Sequence, residues 1–252
     1  MVEKLRNLSL EILVALSLLT RIPLKLPEDA YQNSARAVWS YWIVGVIWGG
    51  TLSCIIIILL AGGIDLKIAV IFSIILGLFL TGVMHEDGLA DSADGFWGGW
   101  SKERRLEIMK DSRIGAYGVA ALVLCLLLRW QLLTETFVVQ TNAVALIIAC
   151  AALSRAIMPL LMAQLPHARD NGLSHSVGRP KITVAALGFA LCACFVLALL
   201  GSAGLVLILI ALLTCSLCGL LAWRKIGGQT GDVLGASAVV TELSLLSIST
   251  LL

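Results

Sequence analysis

Charged residues are scarce in this sequence. Only 13% of the 252 residues are Asp, Glu, Lys or Arg, whereas 59% are hydrophobic and the mean hydropathy is +0.98. Soluble domains carry about 25% charged residues, so the composition excludes an ordinary soluble protein and indicates a chain that crosses a membrane several times. The formal net charge is only +2, which is too small to predict a nucleic-acid partner.

Several common site signatures are also missing. Neither the phosphate-binding pattern G-x-x-x-x-G-K-[ST] nor the dinucleotide-binding pattern G-x-G-x-x-G occurs. All seven cysteines lie within apolar runs, and the pair Cys215 and Cys218 has neither a second pair nor a nearby histidine to complete a zinc site. We therefore expect no disulfide framework and no zinc, and we interpret the cysteines as small apolar packing residues.

What the sequence does contain is a series of long apolar runs. Seven of them have roughly the 17 to 25 residues that a membrane-spanning helix needs. They cover residues 38–61, 68–84, 114–133, 143–165, 182–200, 205–223 and 233–252. A shorter run, residues 8–19, is interrupted by Glu11 and predicts an interfacial or re-entrant helix. We expect an all-α, polytopic membrane helical bundle that forms one integral-membrane domain over residues 1–252.

Positive charge is distributed unevenly between the two sides of this predicted bundle. The segments that contain 15 of the 18 Lys and Arg residues are 1–36, 85–113, 166–181 and 224–231. The opposite loops are expected to hold only Lys67 and Arg129, and Arg155 lies inside a predicted helix. Because cytoplasmic loops are enriched in Lys and Arg, we predict that the N-terminus and the long polar loops face the cytoplasm.

The richest of these loops begins with an acidic cluster, His85-Glu86-Asp87-Gly88-Leu89-Ala90-Asp91-Ser92-Ala93-Asp94-Gly95. On a helix, Asp87, Asp91 and Asp94 fall within a wedge of about 60°. Such crowded carboxylates need compensation, and a hard cation such as Mg²⁺ or Mn²⁺ suits an all-oxygen donor set. On an ideal helix Glu86 points about 100° away from Asp87, so it is a weaker candidate ligand. The alternative is a solvated acidic cap at the membrane surface. Gly88 and Gly95 are poor helix formers, and they predict that the helix opens near its end.

Two other polar segments carry candidate substrate contacts. Asp111 and Arg113 either complete a metal shell and clamp a phosphate oxygen, or form an N-cap and a snorkelling arginine. The glycine-rich turn 227–231, before Asp232, either presents backbone N–H groups to an anion or is an ordinary helix start. Loop 166–175 either recognises a polar substrate or is a solvated connector.

Two isolated charges lie deep in the predicted membrane region. Arg155 and Glu242 are each ten residues from the predicted cytoplasmic end of their helix, which is about 15 Å at 1.5 Å per residue. An isolated charge at that depth costs several kcal/mol, so each needs a partner or a wet cavity. We predict that they face each other or that both face the floor of a substrate cavity, unless Arg155 snorkels from a misplaced helix.

Four segments together resemble the cobalamin synthase family, also called the adenosylcobinamide-GDP ribazoletransferases. They are the acidic cluster above, Leu19-Thr20-Arg21-Ile22-Pro23, residues 109–118 (Met-Lys-Asp-Ser-Arg-Ile-Gly-Ala-Tyr-Gly) and residues 227–236 (Gly-Gly-Gln-Thr-Gly-Asp-Val-Leu-Gly-Ala). The resemblance covers essentially the whole chain. It implies a bacterial or archaeal inner-membrane enzyme that joins adenosylcobinamide-GDP to α-ribazole or its 5′-phosphate, releases GMP and requires Mg²⁺.

This resemblance also implies roles for the candidate residues. Asp87, Asp91 and Asp94 become metal ligands, Asp111 the candidate base, and Arg113 a phosphate ligand. The residues expected to contact substrate are His85, Arg155, Gly227, Gly228, Thr230, Asp232 and Glu242. We expect the protein to be embedded in the lipid bilayer, and the sequence is compatible with a homo-oligomer.

Two other function classes compete with this one. Asp91-Ser92-Ala93-Asp94-Gly95 matches the core of the CDP-alcohol phosphotransferase pattern, but Phe96-Trp97-Gly98 replaces the Ala-Arg expected after it. An ion-coupled transporter also uses membrane acids, although it is expected to place polar groups near mid-membrane on several helices, often within an internal repeat. The substrates distinguish the two transferase classes, since one uses CDP and a lipid and the other uses GDP and a corrinoid. Most acidic residues lie on one side of the predicted bundle, which favours an enzyme over a transporter.

Overall fold

A computed structural model describes residues 2–252, in which the chain is helical almost throughout. The α-helices are α1 Val2–Leu19, α2 Ser34–Ala37, α3 Tyr41–Ala61, α4 Leu66–Thr81, α5 Met84–Gly98, α6 Lys102–Ile108, α7 Ala116–Val139, α8 Ala143–Gln164, α9 Leu173–Val177, α10 Ile182–Leu200, α11 Ser202–Ile226 and α12 Gly231–Ser249. Short 3-10 helices at Glu28–Asn33 and Val38–Ser40 flank α2. The predicted all-α membrane bundle is confirmed.

The number of spans also agrees with the prediction. In the part of the chain that the structure describes, six helices are long and apolar enough to cross a membrane, and the count is seven if the broken pair α4 and α5 forms one span. The N-terminal helix α1 is not among these candidate spans and is longer than the apolar run that predicted it. Glu11, which interrupts that run, has a specific partner, because Trp39 Nε1 donates to Glu11 Oε2 at 2.6 Å.

The predicted second span differs from the structure at its C-terminal end. We expected one helix over residues 68–84 that continued into the acidic cluster, but α4 ends at Thr81 and α5 leaves at 86°. Gly82 and Val83 both have a φ of 62°, in the left-handed region that an α-helix does not contain. Such a φ is common for glycine and strained for a β-branched valine. The break therefore rests on two adjacent left-handed residues.

Helix α8 forms the centre of the bundle and is buried along most of its length. Its closest neighbour is α3, which turns Gly45 and Gly49 toward it. A Cβ at Gly45 would overlap the backbone of Ala151, and one at Gly49 would crowd the Ala151 side chain. Small residues four apart allow two membrane helices to approach this closely. Packing of these helices therefore sets the frame on which the polar residues are arranged.

The polar segments meet at one end of the bundle. Arg105 at the end of α6 donates to the Lys225 carbonyl at 2.9 Å, and Lys225 Nζ donates to the Phe96 carbonyl at 2.9 Å. The N-terminal segment joins this end at the α4–α5 break, where the Arg21 backbone N–H donates to the Leu80 carbonyl at 2.7 Å. The predicted clustering of the basic and acidic segments is thus a feature of the fold.

Candidate functional site

The acidic cluster lies on α5, which packs between α7 and α12. Asp87 and Asp91 are one turn apart, and Asp91 also experiences the charges of Asp232 and Asp94. The positive charge near this group is Arg169, whose guanidinium lies 3.1 Å from an oxygen of Asp232. Negative charge therefore exceeds positive charge at this point, as the one-faced pattern predicted.

Asp94 has a structural partner as well as a place on this face. Its two carboxylate oxygens accept from the backbone N–H groups of Gly115 at 2.7 Å and Gly118 at 2.9 Å. These donors lie at the N-terminus of α7, where unpaired N–H groups attract a carboxylate. A Cβ at Gly115 or Gly118 would overlap the Asp94 carboxylate. The segment 109–118 is thereby fastened to the acidic helix.

The glycines within α5 serve close packing rather than opening the helix. We expected the helix to open near its end, but it is continuous to Gly98. A Cβ at Gly88 would meet the backbone of Asp232, and one at Gly95 would meet Met109. The cost of glycine in a helix is offset here by the approach of neighbouring elements.

The glycine-rich turn 227–231 is joined to the loop that follows α8. Ala168 N–H donates to the Gln229 carbonyl at 2.9 Å, and Gln229 N–H donates to the Pro166 carbonyl at 2.8 Å. Gly227 has a φ of 70°, and a Cβ at Gly228 would overlap the Pro166 carbonyl. These two glycines are therefore explained by backbone geometry and packing.

The hydroxyl of Thr230 continues this ordering into α12. It accepts from the Val233 N–H at 3.3 Å, which caps the helix, and it donates to Asp232 Oδ2 at 3.2 Å. The turn thus positions Asp232, and through it Arg169, beside the acidic face. Arg169 was not singled out from the sequence, where it was one of several polar residues in an irregular loop.

A cleft with a volume of about 120 Å³ opens next to these charges. Asp87, Arg169 and Asp232 belong to its lining, together with apolar residues of α1, α5, α8, α9 and α12. His85 also lines it and is only 2% exposed, and neither of its ring nitrogens has a hydrogen-bond partner. His85, which was expected to contact substrate, therefore lies at a cleft beside the acidic residues, and its contact with substrate stays a prediction.

The buried charges form a larger cluster than we predicted. Arg155 Nη1 lies 2.5 Å from Glu242 Oε2, which confirms the predicted pair. Arg129 Nε donates to Glu242 Oε1 at 3.0 Å, and its Nη1 donates to Glu86 Oε1 at 2.7 Å. Both guanidinium groups also lie over the ring of Trp48, with Arg155 Cζ 4.3 Å from its centroid. Two positive and two negative side chains thus compensate each other inside the bundle.

Three expectations change with this cluster. Arg129 is not in a loop, because it lies within α7 and is 1% exposed. Glu86 pairs with Arg129, away from the face that carries Asp87, so its surroundings do not support a role as metal ligand. Arg155 and Glu242 face each other and are absent from the described lining of the cleft, so we assign them to the bundle interior rather than to substrate.

Asp111 and Arg113 form an exposed ion pair in the connection between α6 and α7. Arg113 Nη2 lies 2.8 Å from Asp111 Oδ2, and the Arg113 side chain is 87% exposed. The hydrogen bonds from Arg113 hold the pKa of Asp111 down to about 2. A carboxylate that weakly basic accepts protons poorly, and neither residue belongs to the described lining of the cleft. The structure therefore does not favour Asp111 as the base.

The donor set is compatible with Mg²⁺. Among the described residues, no three His, Cys, Asp or Glu side chains are arranged to hold an ion by themselves. Mg²⁺ is usually bound by one or two carboxylates together with water and substrate phosphate oxygens, so three protein ligands are not required. Asp87 and Asp91, one turn apart and short of positive charge, supply such a pair.

Comparison with known proteins identifies the family. The sequence pattern of the cobalamin-5-phosphate synthases matches residues 11–250. This chain belongs to the cobalamin-5-phosphate synthase family. It is 40% identical to the adenosylcobinamide-GDP ribazoletransferase of Bradyrhizobium diazoefficiens, over 98% of this chain and 95% of the relative. It is 38% identical to the protein of the same name from Mesorhizobium japonicum, over 98% and 97% of the two chains. No solved structure matches it.

Membership in the cobalamin-5-phosphate synthase family decides between the function classes considered above. The chain is a membrane-embedded transferase of cobalamin biosynthesis, and the CDP-alcohol phosphotransferase and ion-coupled transporter interpretations are set aside. The resemblance drawn from the four sequence segments is confirmed. Two of those segments, 109–118 and 227–236, contact α5 directly in the structure.

Proposed function

We propose that this protein transfers the activated cobinamide phosphate of adenosylcobinamide-GDP to a ribose hydroxyl of α-ribazole or its 5′-phosphate. The products are adenosylcobalamin or its 5′-phosphate, and GMP. The names of its relatives, adenosylcobinamide-GDP ribazoletransferases, support the substrates. The observation that carries the proposal is the carboxylate pair Asp87 and Asp91. Asp87 lines the cleft together with the Arg169–Asp232 ion pair, and Asp91 lies one turn further along α5, within reach of the charges of Asp87, Asp232 and Arg169.

The reaction is an exchange at phosphorus. The ribose hydroxyl oxygen forms a bond to the phosphorus that carries cobinamide, the bond from that phosphorus to GMP breaks, and the hydroxyl proton leaves. The diphosphate of adenosylcobinamide-GDP is anionic, as is the phosphate of α-ribazole 5′-phosphate, so positioning and charge compensation matter more than covalent help from the protein. The protein must therefore neutralise phosphate charge and hold the two substrates in line.

Residues at the cleft and on the adjacent face of α5 would carry out these two tasks. Asp87 and Asp91 would hold Mg²⁺, with Asp94 fixing α5 against α7 behind them. When bound, Mg²⁺ supplies charge neutralisation on the phosphate oxygens. Arg169 binds a phosphate oxygen from the other side of the cleft. Asp232, at the cleft and outside the carboxylate pair, accepts the proton of the attacking hydroxyl.

We further propose that this end of the bundle faces the cytoplasm, in a bacterial inner membrane. The support is the excess of Lys and Arg in the segments that meet there. Arg129, which we counted on the opposite side, is buried in α7, so the asymmetry is larger than the sequence indicated. Nucleotide substrates would then reach the cleft directly from the compartment that contains them.

The function is tested with purified protein in lipid vesicles, adenosylcobinamide-GDP, α-ribazole 5′-phosphate and Mg²⁺, by measuring GMP and corrinoid product. We expect Asp87→Asn and Asp91→Asn each to lower turnover at least 100-fold, about 2.7 kcal/mol, without loss of helix content. Chelation of Mg²⁺ should abolish turnover of the wild-type protein reversibly. Asp65→Asn is the matched control, because Asp65 caps the N-terminus of α4, the end opposite the junction with the acidic helix. Near-normal turnover of both variants would contradict the assignment.

A further inference from the structure

The cleft beside the acidic helix has two chemically different parts. Its mouth carries Asp87, Arg169 and Asp232, which the proposed reaction uses. Its remaining wall is largely apolar and includes Leu18, Leu19, Met84, Met158, Met162 and Leu234. A ligand that fits both parts has a polar or charged portion for the mouth and a compact apolar portion for the interior.

One polar group in this wall lacks a function within the protein. His85 is 2% exposed, and its Nδ1 and Nε2 have no hydrogen-bond partner. A buried polar atom without a partner costs stability, so an imidazole in this state calls for a partner that the protein does not supply. Because His85 lines the cleft, that partner is a ligand in the cleft.

The two substrates of the proposed reaction fit this wall very differently. The base of α-ribazole is a benzimidazole, which is a flat fused ring with a hydrocarbon edge and one free ring nitrogen. Guanine carries several donors and acceptors that an apolar wall leaves unpaired, at a cost in affinity. The corrin ring with its amide side chains is far larger than a nucleoside base and belongs to a more open surface.

We propose that the apolar part of this cleft, the base pocket, binds the benzimidazole base of the ribazole substrate. A His85 N–H donates to the lone pair of the free ring nitrogen. The methionines and leucines cover the hydrocarbon faces, since methionine adapts its shape and makes favourable contacts with aromatic rings. The ribose then emerges at Asp87 and Asp232, where its hydroxyl is to react. This inference rests on the proposed function.

His85→Phe separates this role from a structural one. It keeps a flat ring and removes the nitrogens, and since neither nitrogen is bonded within the protein, we expect folding to be retained. The KM for α-ribazole should rise about tenfold, the loss of one hydrogen bond, while the KM for adenosylcobinamide-GDP stays unchanged. Equilibrium dialysis with α-ribazole alone should show the same loss without turnover.

Leu173→Trp provides a second, independent variant. Leu173 lines the cleft from α9 and is 46% exposed, so a larger side chain narrows the base pocket without overpacking the bundle. We expect a similar rise in the KM for α-ribazole. Leu221→Trp is the matched control, because Leu221 lines a separate cleft between α5, α11 and α12. It should change neither KM.

The outcomes distinguish this inference from the proposed function. If the wild-type protein releases no GMP from these substrates, the proposed function fails. If it does, and both His85→Phe and Leu173→Trp leave the KM for α-ribazole and its binding unchanged, the base pocket is refuted. A rise in the KM for adenosylcobinamide-GDP instead would assign the cleft to the other substrate and would also overturn the inference.

Discussion

Arg129→Met removes the charge that connects two buried glutamates. Glu242 keeps Arg155 at 2.5 Å, but Glu86 loses the bond from Arg129 at 2.7 Å. The other oxygen of Glu86 already lacks a partner, so the variant leaves a buried carboxylate with no hydrogen bond. Removing one partner of a buried ion pair costs about 3–5 kcal/mol, and we expect a loss of that size in the free energy of unfolding.

Arg155→Met should cost less, roughly 1–3 kcal/mol, because Glu242 then keeps Arg129 at 3.0 Å. The double variant Arg129→Met with Glu86→Gln should recover about half of the loss caused by Arg129→Met. Glutamine carries no charge, so it does not need the guanidinium in order to be buried. The order of the three losses follows directly from which carboxylate is left unpaired.

Equilibrium unfolding in mixed detergent micelles, followed by helix content, measures these losses. The control is Arg104→Met, since Arg104 pairs with Glu107 on the surface, with side chains 60% and 69% exposed. An exposed pair contributes about 0–1 kcal/mol. Strictly additive losses for Arg129→Met and Glu86→Gln, or an Arg129→Met loss no larger than that of the control, would refute the coupled cluster.

Two further predictions concern topology and the helix break. A reporter fused within 98–104 should read cytoplasmic and one near Asp65 external, because of the charge asymmetry; the reverse pattern would overturn the proposed orientation. Gly82→Val should cost at least about 1–2 kcal/mol and lower GMP release, because φ is 62° and a Cβ would overlap the Arg21 side chain. Val83→Gly removes the strain of a β-branched residue at a φ of 62° and should retain activity. Equal losses from both variants in unfolding and turnover assays would argue against a strained break.

The sequence alone determined the class of the protein and the existence of its acidic face. Long apolar runs fix membrane spans because the bilayer sets a minimum helix length, and that rule needs no tertiary information. The spacing of Asp87, Asp91 and Asp94 fixes their common direction because helix geometry is local. The Arg155–Glu242 pair was also predictable, since a charge at mid-membrane needs a compensating charge.

Tertiary structure decided where these local features meet. The break at Gly82 and Val83 was hidden within an apolar run, since hydropathy does not report the backbone φ. Arg129 could have been noticed as a charge inside an apolar run, but only the packing of α7 against α5 and α12 gives it Glu86 and Glu242. The two glutamates that Arg129 contacts are 43 and 113 residues away from it along the chain. The residues that line the cleft at His85 come from several helices. No local sequence pattern encodes contacts at such separations.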